Sequence, residues 1–329
     1  MAFQNILGNS RVKTILSKSL QRNRVPHSLL FIGPEGVGKK EMALVVAKAL
    51  NCLQKTENSC EECTSCVAIN KKNFPDVMEV SPQKDVIKIE QMRLLKSTTY
   101  LKPMVGKKRV FIISNAEKMR EEASNSLLKI LEEPPSFSHI FLLTDNPYLI
   151  LPTIKSRCQV LTFAPVFKED IEKVLLEKGY DAEKARVISL VVHGNLRYAL
   201  SLDWDDLQEK RQKAWQVFHA LIKKENASVF LKEFSSSRFL ERQDLEQIFE
   251  ILSSFCRDIV LFKEEGDLSH LMNPDYGQDL RETSRHLSLE QALDFLSKID
   301  YSLYALQKNL NVNLLMSSLF SHFMEKHYV

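Results

Sequence analysis

"GPEGVGKKEMAL", the stretch from Gly33 to Leu44, lies between an apolar segment and an amphipathic one. Gly33, Gly38 and Lys39 match the G-x-x-x-x-G-K pattern of a phosphate-binding loop, in which backbone N–H groups surround a phosphate at a helix amino terminus. Gly36 and Gly38 allow backbone conformations that a side chain would obstruct. The pattern therefore predicts a strand, a P-loop and a helix, the centre of an α/β nucleotide-binding fold.

The P-loop lacks the ligands that a magnesium ion needs. Lys40 occupies the position of the usual serine or threonine, and an ammonium group has no lone pair to offer a metal. A hydrolytic site also needs an acidic residue at the end of a neighbouring strand, where "VFIISNAEKM" has Ser114 and Asn115, with Glu117 two positions late. We therefore predict that this chain alone does not hydrolyse ATP. Two interpretations stay open: the loop binds ATP or ADP weakly, or it is only a strand-to-helix connector.

Five short segments rich in branched and aromatic residues alternate with helix-like segments, which is typical of a parallel α/β sheet. The predicted strands are "HSLLFIG" (27–33), "DVMEVSP" (76–82), "KRVFIIS" (108–114), "HIFLLTD" (139–145) and "CQVLTF" (158–163). Strand signals stop near Pro165, and the later segments carry apolar residues at the three- to four-residue spacing of helices. Among these later residues, Phe230 and Phe234 are expected to lie in a core. We expect three domains, at residues 1–165, 166–207 and 208–329.

The composition is that of an ordinary globular protein. Of 329 residues, 45 are basic and 42 acidic, which gives a net charge of +3 and neither demands nor excludes a nucleic-acid partner. No segment approaches the ~20 apolar residues that span a bilayer, and the amino terminus has no signal-peptide core. We therefore expect a cytoplasmic protein without a membrane partner.

Four of the six cysteines are clustered in "CLQKTENSCEECTSC". Cys52, Cys60, Cys63 and Cys66 are spaced C-x7-C-x2-C-x2-C, and four thiolates satisfy the tetrahedral coordination of Zn²⁺ with no position left for water. The alternatives are free thiols or a redox pair, neither of which explains the fourth cysteine. The spacing therefore predicts a structural zinc module.

Four sequence features together resemble the bacterial DNA polymerase III clamp loader, an AAA+ assembly. They are "NRVPHSLLFIGPEGVGKK", the cysteine cluster, "ASNSLLKILEEPP" and "LPTIKSRCQ", and the resemblance covers Phe3 to about Leu200. It implies an AAA+ domain with a zinc module, a small helical lid and an all-α collar that mediates oligomerisation. The motor subunit of this family, gamma or tau, has intact metal-binding elements, so the two losses favour a different subunit.

The resemblance also implies a five-membered ring in which each ATP site is completed by an arginine of the adjacent chain. In this sequence that residue is Arg157 of "SRC". A planar, permanently charged guanidinium can bind several phosphate oxygens as charge develops on them. Without the surrounding motif, a surface arginine would be interpreted as solvated. The resemblance thus predicts that Arg157 acts in trans on a neighbouring subunit.

Two further positions resemble the nucleotide sensors of the family. Thr144 corresponds to the polar residue near the terminal phosphate, and Arg197 in "GNLRYAL" corresponds to the lid arginine that contacts the same phosphate. The alternatives are a turn-capping role for Thr144 and a solvated helix position for Arg197. Both predictions depend on nucleotide binding.

The leading hypothesis is a non-hydrolysing clamp-loader subunit that works with gamma or tau and delta subunits, a sliding clamp and primed DNA. The two rival hypotheses are an active AAA+ motor that uses substitute ligands and a zinc-dependent DNA-binding protein. Magnesium-dependent ATP turnover by the single chain would support the first rival. DNA affinity that vanishes on zinc removal would support the second.

Overall fold

The computed structural model describes residues 2–54, 58–223, 242–266, 271–307 and 310–325. Phe230 and Phe234 lie outside the described residues. The chain divides into two compact units: unit 1 comprises Met1–Glu177 with Val192–Leu200, and unit 2 comprises Lys178–Val191 with Ser201–Val329. The three-domain division stays a prediction.

Unit 1 is built on a parallel five-stranded sheet with the order β2-β3-β4-β1-β5. Its strands are β1 (Ser28–Ile32), β2 (Val77–Val80), β3 (Arg109–Ile113), β4 (Ser138–Thr144) and β5 (Gln159–Thr162). Each strand lies within one of the five predicted segments or differs from it by one residue, so the predicted parallel α/β sheet is confirmed.

Both faces of the sheet are buried because successive side chains of a strand point to opposite sides. In β1, Phe31 packs in a core with Val46 and Phe163, whereas Leu30 packs on the other side with Leu127 and other residues. The helices of this unit are α1 (Ser10–Gln21), α2 (Lys39–Asn51), α3 (Thr64–Asn70), α4 (Ile89–Thr99), α5 (Glu121–Glu132), α6 (Pro152–Lys155), α7 (Lys168–Glu177) and α9 (Leu196–Ser201). The sequence analysis predicted α2, the helix that follows the P-loop, but not α1.

The sheet topology determines where the site lies. The central strand β1 has β4 on one side and β5 on the other, and the P-loop leaves its carboxyl end. Because parallel strands end at the same edge, the residues after Ile32, Ile113 and Thr144 converge there. This edge carries the candidate nucleotide site.

Unit 2 is helical in its described residues. Its helices are α8 (Ala182–Val191), α10 (Trp204–Lys223), α11 (Arg242–Glu265), α12 (Gly277–Ser284), α13 (Leu289–Gln307) and α14 (Val312–Glu325). The buried rings of Phe218, Phe255 and Phe295 form the centre of an aromatic core. Among the described residues of the chain, no helix is long and apolar enough to cross a bilayer.

Candidate functional site

The P-loop has the backbone geometry that the sequence predicted. Gly36 and Gly38 have φ angles of +73° and +93°, in the left-handed region that favours glycine. A Cβ atom at Gly36 would lie 1.6 Å from Asn195 Oδ1, so glycine is also required because Asn195 approaches so closely. Gly38 directly precedes α2, which begins at Lys39. Loop and helix terminus together form the anion-binding arrangement of a P-loop.

The ammonium group of Lys39 is directed back onto its own loop. Its Nζ donates to Gly33 O at 2.5 Å, to Pro34 O at 2.6 Å and to Asp145 Oδ1 at 2.6 Å. An ammonium group has three donors, so these three acceptors use all of them. Lys39 is buried. The residue that would neutralise a nucleotide phosphate is therefore fully occupied by acceptors of this chain.

The other two cations near the loop are paired in the same way. Lys40 Nζ lies 2.6 Å from Glu79 Oε2, a carboxylate on β2, and Arg197 Nη2 lies 2.8 Å from Glu41 Oε1. Lys40 thus places an ammonium group, already bound to a carboxylate, at the position of the usual metal-binding hydroxyl. With Lys39 and Asp145, each of the three cations has one carboxylate partner. A phosphate group would have to compete with all three.

Two acidic side chains lie at this edge of the sheet in spite of the missing acidic motif. Thr144 Oγ1 donates to Glu117 Oε2 at 2.6 Å, and Asn115 Nδ2 lies 3.4 Å from both Glu117 Oε1 and Asp145 Oδ2. Thr144 also accepts a hydrogen bond from Asn146 N at 3.2 Å, the turn contact that was its alternative role. Sequence reasoning missed Asp145, although it directly follows the end of β4, where strand ends converge.

An apolar cavity of about 160 Å³ adjoins the loop. Its lining includes Ile6, Leu7, Val166, Leu196 and Leu200, together with the backbone of the loop. A smaller polar cavity of about 70 Å³ contains Lys39, Lys40, Asp145 and Arg197. An apolar space beside a polar one suits a ligand with a flat ring and an anionic group. The structure thus brings together Gly33, Gly36, Gly38, Lys39, Thr144 and Arg197, and their role in nucleotide binding stays a prediction.

Arg157 lies apart from these residues. It follows α6, and its guanidinium binds Glu132 at the end of α5 through Nε, at 2.7 Å, and Nη2. Its Nη1 donates to Thr153 O at 2.9 Å. The side chain keeps about 32% of its surface exposed. Its hydrogen bonds and its ion pair join it to Glu132, Thr153 and Ser156 and not to the P-loop, so Arg157 is not a residue of this chain's own site.

The four clustered cysteines converge on one point. Their sulfur atoms all lie within 4.8 Å of one another, and Cys60 Sγ lies 3.9 Å from Cys66 Sγ. Four sulfur ligands at about 2.3 Å from a tetrahedral ion would be about 3.8 Å apart, so the donor set fits zinc. Cys63 N donates to Cys60 Sγ at 3.3 Å, and Cys66 N donates to Cys63 Sγ at 3.5 Å. This cluster could hold a metal ion.

The thiols of the cluster differ in acidity. Burial raises the pKa of Cys66 to about 12. Burial also acts on Cys63, but hydrogen bonds from backbone N–H groups outweigh it and lower the pKa of that thiol to about 6. Backbone donors stabilise a thiolate as they would in a metal complex. Cys158, outside the cluster, is a partly buried thiol whose pKa is raised to about 12 by burial.

Two family models match the chain over most of its length. One, described as DNA polymerase III, delta subunit, matches residues 8–167, and another, described as DNA polymerase III, delta subunit, C terminal, matches residues 206–324. The DNA polymerase III subunit delta' of Bacillus subtilis is 31% identical over 311 residues, which cover 94% of this chain and 94% of that protein.

Other similar proteins carry related names. The DNA polymerase III subunit tau/gamma of Haemophilus influenzae is 33% identical over 207 residues, which cover 61% of this chain and 30% of that protein. Among solved structures, a DNA polymerase III gamma subunit-related protein of Thermotoga maritima has a TM-score of 0.43 at 20% identity, with 94% of this chain and 98% of that chain covered.

The position of the P-loop after β1 and the strand order β2-β3-β4-β1-β5 define a P-loop protein of the AAA+ class. The match to Bacillus subtilis delta' along nearly the whole of both chains makes the assignment more specific. The chain belongs to the DNA polymerase III delta-prime family, within the clamp-loader group that its sequence motifs resemble.

Proposed function

We propose that this chain is a subunit of a DNA polymerase III clamp loader, which assembles with gamma or tau and delta subunits into a five-membered ring. The assembly would load a sliding clamp on primed DNA, and this chain would contribute no polymerase chemistry of its own. Membership of the delta-prime family and the similarity to tau/gamma support this assignment. The three predicted domains would serve as the AAA+ domain, the lid and the collar.

The second part of the proposal is that this chain's own nucleotide site is idle, which means that it binds nucleotide weakly and does not hydrolyse ATP. One observation supports it. The three donors of Lys39 are taken by Gly33 O, Pro34 O and Asp145. A triphosphate would have to displace a carboxylate from a partly buried ion pair, and Lys40 repels the Mg²⁺ that hydrolysis needs. ATP or ADP would therefore bind weakly and without hydrolysis.

The third part assigns Arg157 to the site of a neighbouring subunit. Its ion pair with Glu132 is at the surface, where such pairs contribute about 0–1 kcal/mol, so the guanidinium can exchange partners at little cost. A phosphate on which negative charge develops would bind the Arg157 guanidinium more strongly than one exposed carboxylate does. An arginine that one subunit supplies to the ATP site of another raises the rate of hydrolysis at that site by roughly 10³- to 10⁵-fold.

The cysteine cluster is assigned a structural role. Zn²⁺ bound by Cys52, Cys60, Cys63 and Cys66 would have no open coordination position, so we infer that it connects the end of α2 to the start of α3 and takes no part in chemistry.

The experiment is reconstitution of the loader with Arg157→Ala in this chain. We expect DNA-stimulated ATP turnover to lose the contribution of one site and clamp loading to fall, whereas Arg186→Ala, at an exposed arginine of α8, should match the wild type. Lys39→Ala should leave turnover unchanged because the site is idle. Turnover and loading equal to wild type in Arg157→Ala would refute the assignment of Arg157 to a neighbouring site. Loss of turnover in Lys39→Ala, with the fold intact, would refute the idle site.

A further inference from the structure

The first helix of the chain has an exposed surface with only one sign of charge. Residues 1–34 contain Arg11, Lys13, Lys18, Arg22 and Arg24 but no aspartate or glutamate. The surface of α10, by contrast, mixes the two signs, as in its Lys210–Asp206 and Lys213–Glu209 pairs. A solvated helix surface usually gains stability from such pairs. The lack of acidic residues on α1 therefore needs a different explanation.

Helical geometry places the polar residues of α1 on one side. At 100° per residue, the residues from Lys13 through Ser17, Gln21, Thr14, Lys18 and Arg11 to Arg22 fill a continuous arc of about 180°. Val12 and Leu16 lie outside this arc and are buried in the core of unit 1. In this arc the hydroxyl and amide groups lie between Lys13 on one side and the other three cations on the other side, and all of these side chains can donate hydrogen bonds. We call this arc the basic face of α1.

An open groove of about 610 Å³ runs along part of the basic face. It is lined by Phe3, Gln4, Lys13, Thr14, Ser17, Lys18, Gln21 and Asn58, so α1 contributes most of its lining. No carboxylate among the described residues lies within ion-pair distance of Lys13 or Lys18. Asp170, the acidic group that acts on Lys13, does so only at longer range, and the larger effect of burial lowers the pKa of Lys13.

The chemistry of this face suits a phosphodiester backbone. Lysine, arginine, serine, threonine and glutamine are side chains that bind nucleic-acid phosphates. From Arg11 to Arg22 the helix rises about 16 Å, a length along which duplex DNA carries on the order of ten phosphates. An acidic protein partner fits less well, because protein interfaces have an apolar centre and α1 exposes no large apolar side chain. No aromatic residue of α1 is available for base stacking either.

We propose that the basic face of α1 and its groove bind the phosphate backbone of nucleic acid without sequence preference. The choice of partner rests on the proposed function, which places this chain on primed DNA, but the contact itself requires neither Arg157 nor the P-loop. Arg11, Lys18 and Arg22, which lie together at one side of the face and are exposed, make the phosphate contacts, and Lys13, at the other side, contributes from within the groove.

The test measures fluorescence anisotropy of a labelled 20-base-pair DNA duplex with the purified full-length chain, without nucleotide, at several salt concentrations. The variant Arg11→Glu/Lys18→Glu/Arg22→Glu is compared with Lys168→Glu/Lys173→Glu/Lys178→Glu, which changes the net charge equally at exposed lysines in and just after α7. Far-UV circular dichroism checks folding, and the corresponding glutamine variants replace any glutamate variant that does not fold. Because no other subunit is present, failure here is separable from failure of the clamp-loader assignment.

The wild-type chain should bind the duplex with an affinity that falls steeply with salt. The α1 variant should lose on the order of 10- to 100-fold in affinity, and its salt slope should decrease by about 3, about one for each phosphate contact removed. If the face contacts phosphates alone, a duplex RNA of the same sequence should bind with a similar affinity. A higher affinity for the DNA duplex would identify DNA as the source of those phosphates. The proposal is overturned by an unaffected α1 variant, an equal loss in the α7 control, or polyglutamate of matched charge that binds α1 as tightly as DNA does.

Discussion

Lys39 Nζ lies 2.6 Å from Asp145 Oδ1, so the lysine of the P-loop is bound to a carboxylate that follows β4. Two loop carbonyls complete its coordination. The substitution at Lys40 removes a metal ligand, but the Asp145 contact acts on phosphate binding itself. The two features are independent, and under the proposed function one weakens metal binding and the other weakens phosphate binding.

Asp145→Asn should strengthen nucleotide binding. The substitution removes the charged partner of Lys39 and keeps the size of the side chain. A phosphate then competes with a neutral amide, and not with a carboxylate, for the ammonium group of Lys39. A hydrogen bond to a charged group contributes about 1.5–3 kcal/mol, which corresponds to a gain of roughly 10- to 100-fold in affinity for ADP. Binding of a fluorescent ADP analogue, measured without added Mg²⁺ and without chelator so that bound zinc is kept, is the direct readout.

The matched control is Asp85→Asn, because Asp85 is paired with Lys118 at 2.7 Å on the exposed surface of the same unit. It should bind ADP as the wild type does, and Lys39→Ala added to Asp145→Asn should abolish the gain. An Asp145→Asn variant with wild-type affinity would show that Asp145 does not limit binding.

The sequence predicted the elements better than the contacts between them. The short segments rich in branched and aromatic residues identified all five strands, and the spacing of Gly33, Gly38 and Lys39 placed the loop correctly, because both signals are local in the chain. The Lys39–Asp145 pair joins residues 106 positions apart. The residues around a lysine in the chain do not indicate which carboxylate will pair with it. Predicting such a contact requires the order of the strands in the sheet, which the sequence analysis did not establish. Asn195 against Gly36 was missed for the same reason.

The zinc module should be separable from the rest of the fold. We expect one zinc ion per chain by elemental mass spectrometry, lost in Cys63→Ser and retained in Cys158→Ser, whose thiol lies outside the cluster. Structural zinc contributes about 10–16 kcal/mol in small zinc fingers, but here the sheet has its own core, so chelation should unfold only the segment near residues 52–66. Limited proteolysis with and without chelator measures this. Global unfolding on chelation, or zinc retained in Cys63→Ser, would contradict the assignment.

The stability of unit 1 should fall in mild acid because of His139. Its Nδ1 donates to Pro26 O at 3.1 Å, its Nε2 has no hydrogen-bond partner among the described residues, and its ring stacks on His27 at 5.0 Å between centroids. Burial, with the charge of His27 as a smaller factor, lowers the pKa of His139 from 6.5 to about 4. Between pH 6.5 and about 4, His139 is therefore protonated in the unfolded chain and neutral in the folded chain. Stability is full above pH 6.5 and is lost between 6.5 and 4, by at most about 3 kcal/mol.

Hydrogen exchange of peptides from β4 is the suitable measurement, because Trp204 and Trp215 both lie in unit 2 and do not report on the sheet. His139→Asn keeps a donor near Pro26 O and removes the titration, so its protection, corrected for intrinsic exchange, should vary less with pH than that of the wild type. His286→Asn, at an exposed position in unit 2, should leave the wild-type pH dependence in place. Identical profiles for His139→Asn and wild type would exclude His139 as the cause.

The strongest effect on unit 2 should come from Arg211, a fully buried arginine that the sequence analysis did not identify. Its Nη1 and Nη2 donate to the two oxygens of Asp275 at 2.7 and 2.8 Å, and Nη2 also donates to Asn273 Oδ1 at 3.0 Å. Arg211→Ala leaves Asp275 without its cation and opens a cavity, so we expect a loss of about 3–5 kcal/mol in the free energy of unfolding. Trp215, which packs on Tyr276 beneath the guanidinium, reports the transition by fluorescence in urea.

A double variant separates the energy of the ion pair from that of its packing. Arg211→Met/Asp275→Leu removes both charges and keeps most of the volume, so it should recover a large part of the stability that Arg211→Ala loses. If the double variant is instead as unstable as Arg211→Ala, the hydrogen bonds to Asn273 and the stacking on Tyr276 hold this part of unit 2 together, and the charge pair is secondary. A loss below about 1 kcal/mol in Arg211→Ala would contradict the buried network, because removing one partner of a buried ion pair leaves the other charge uncompensated.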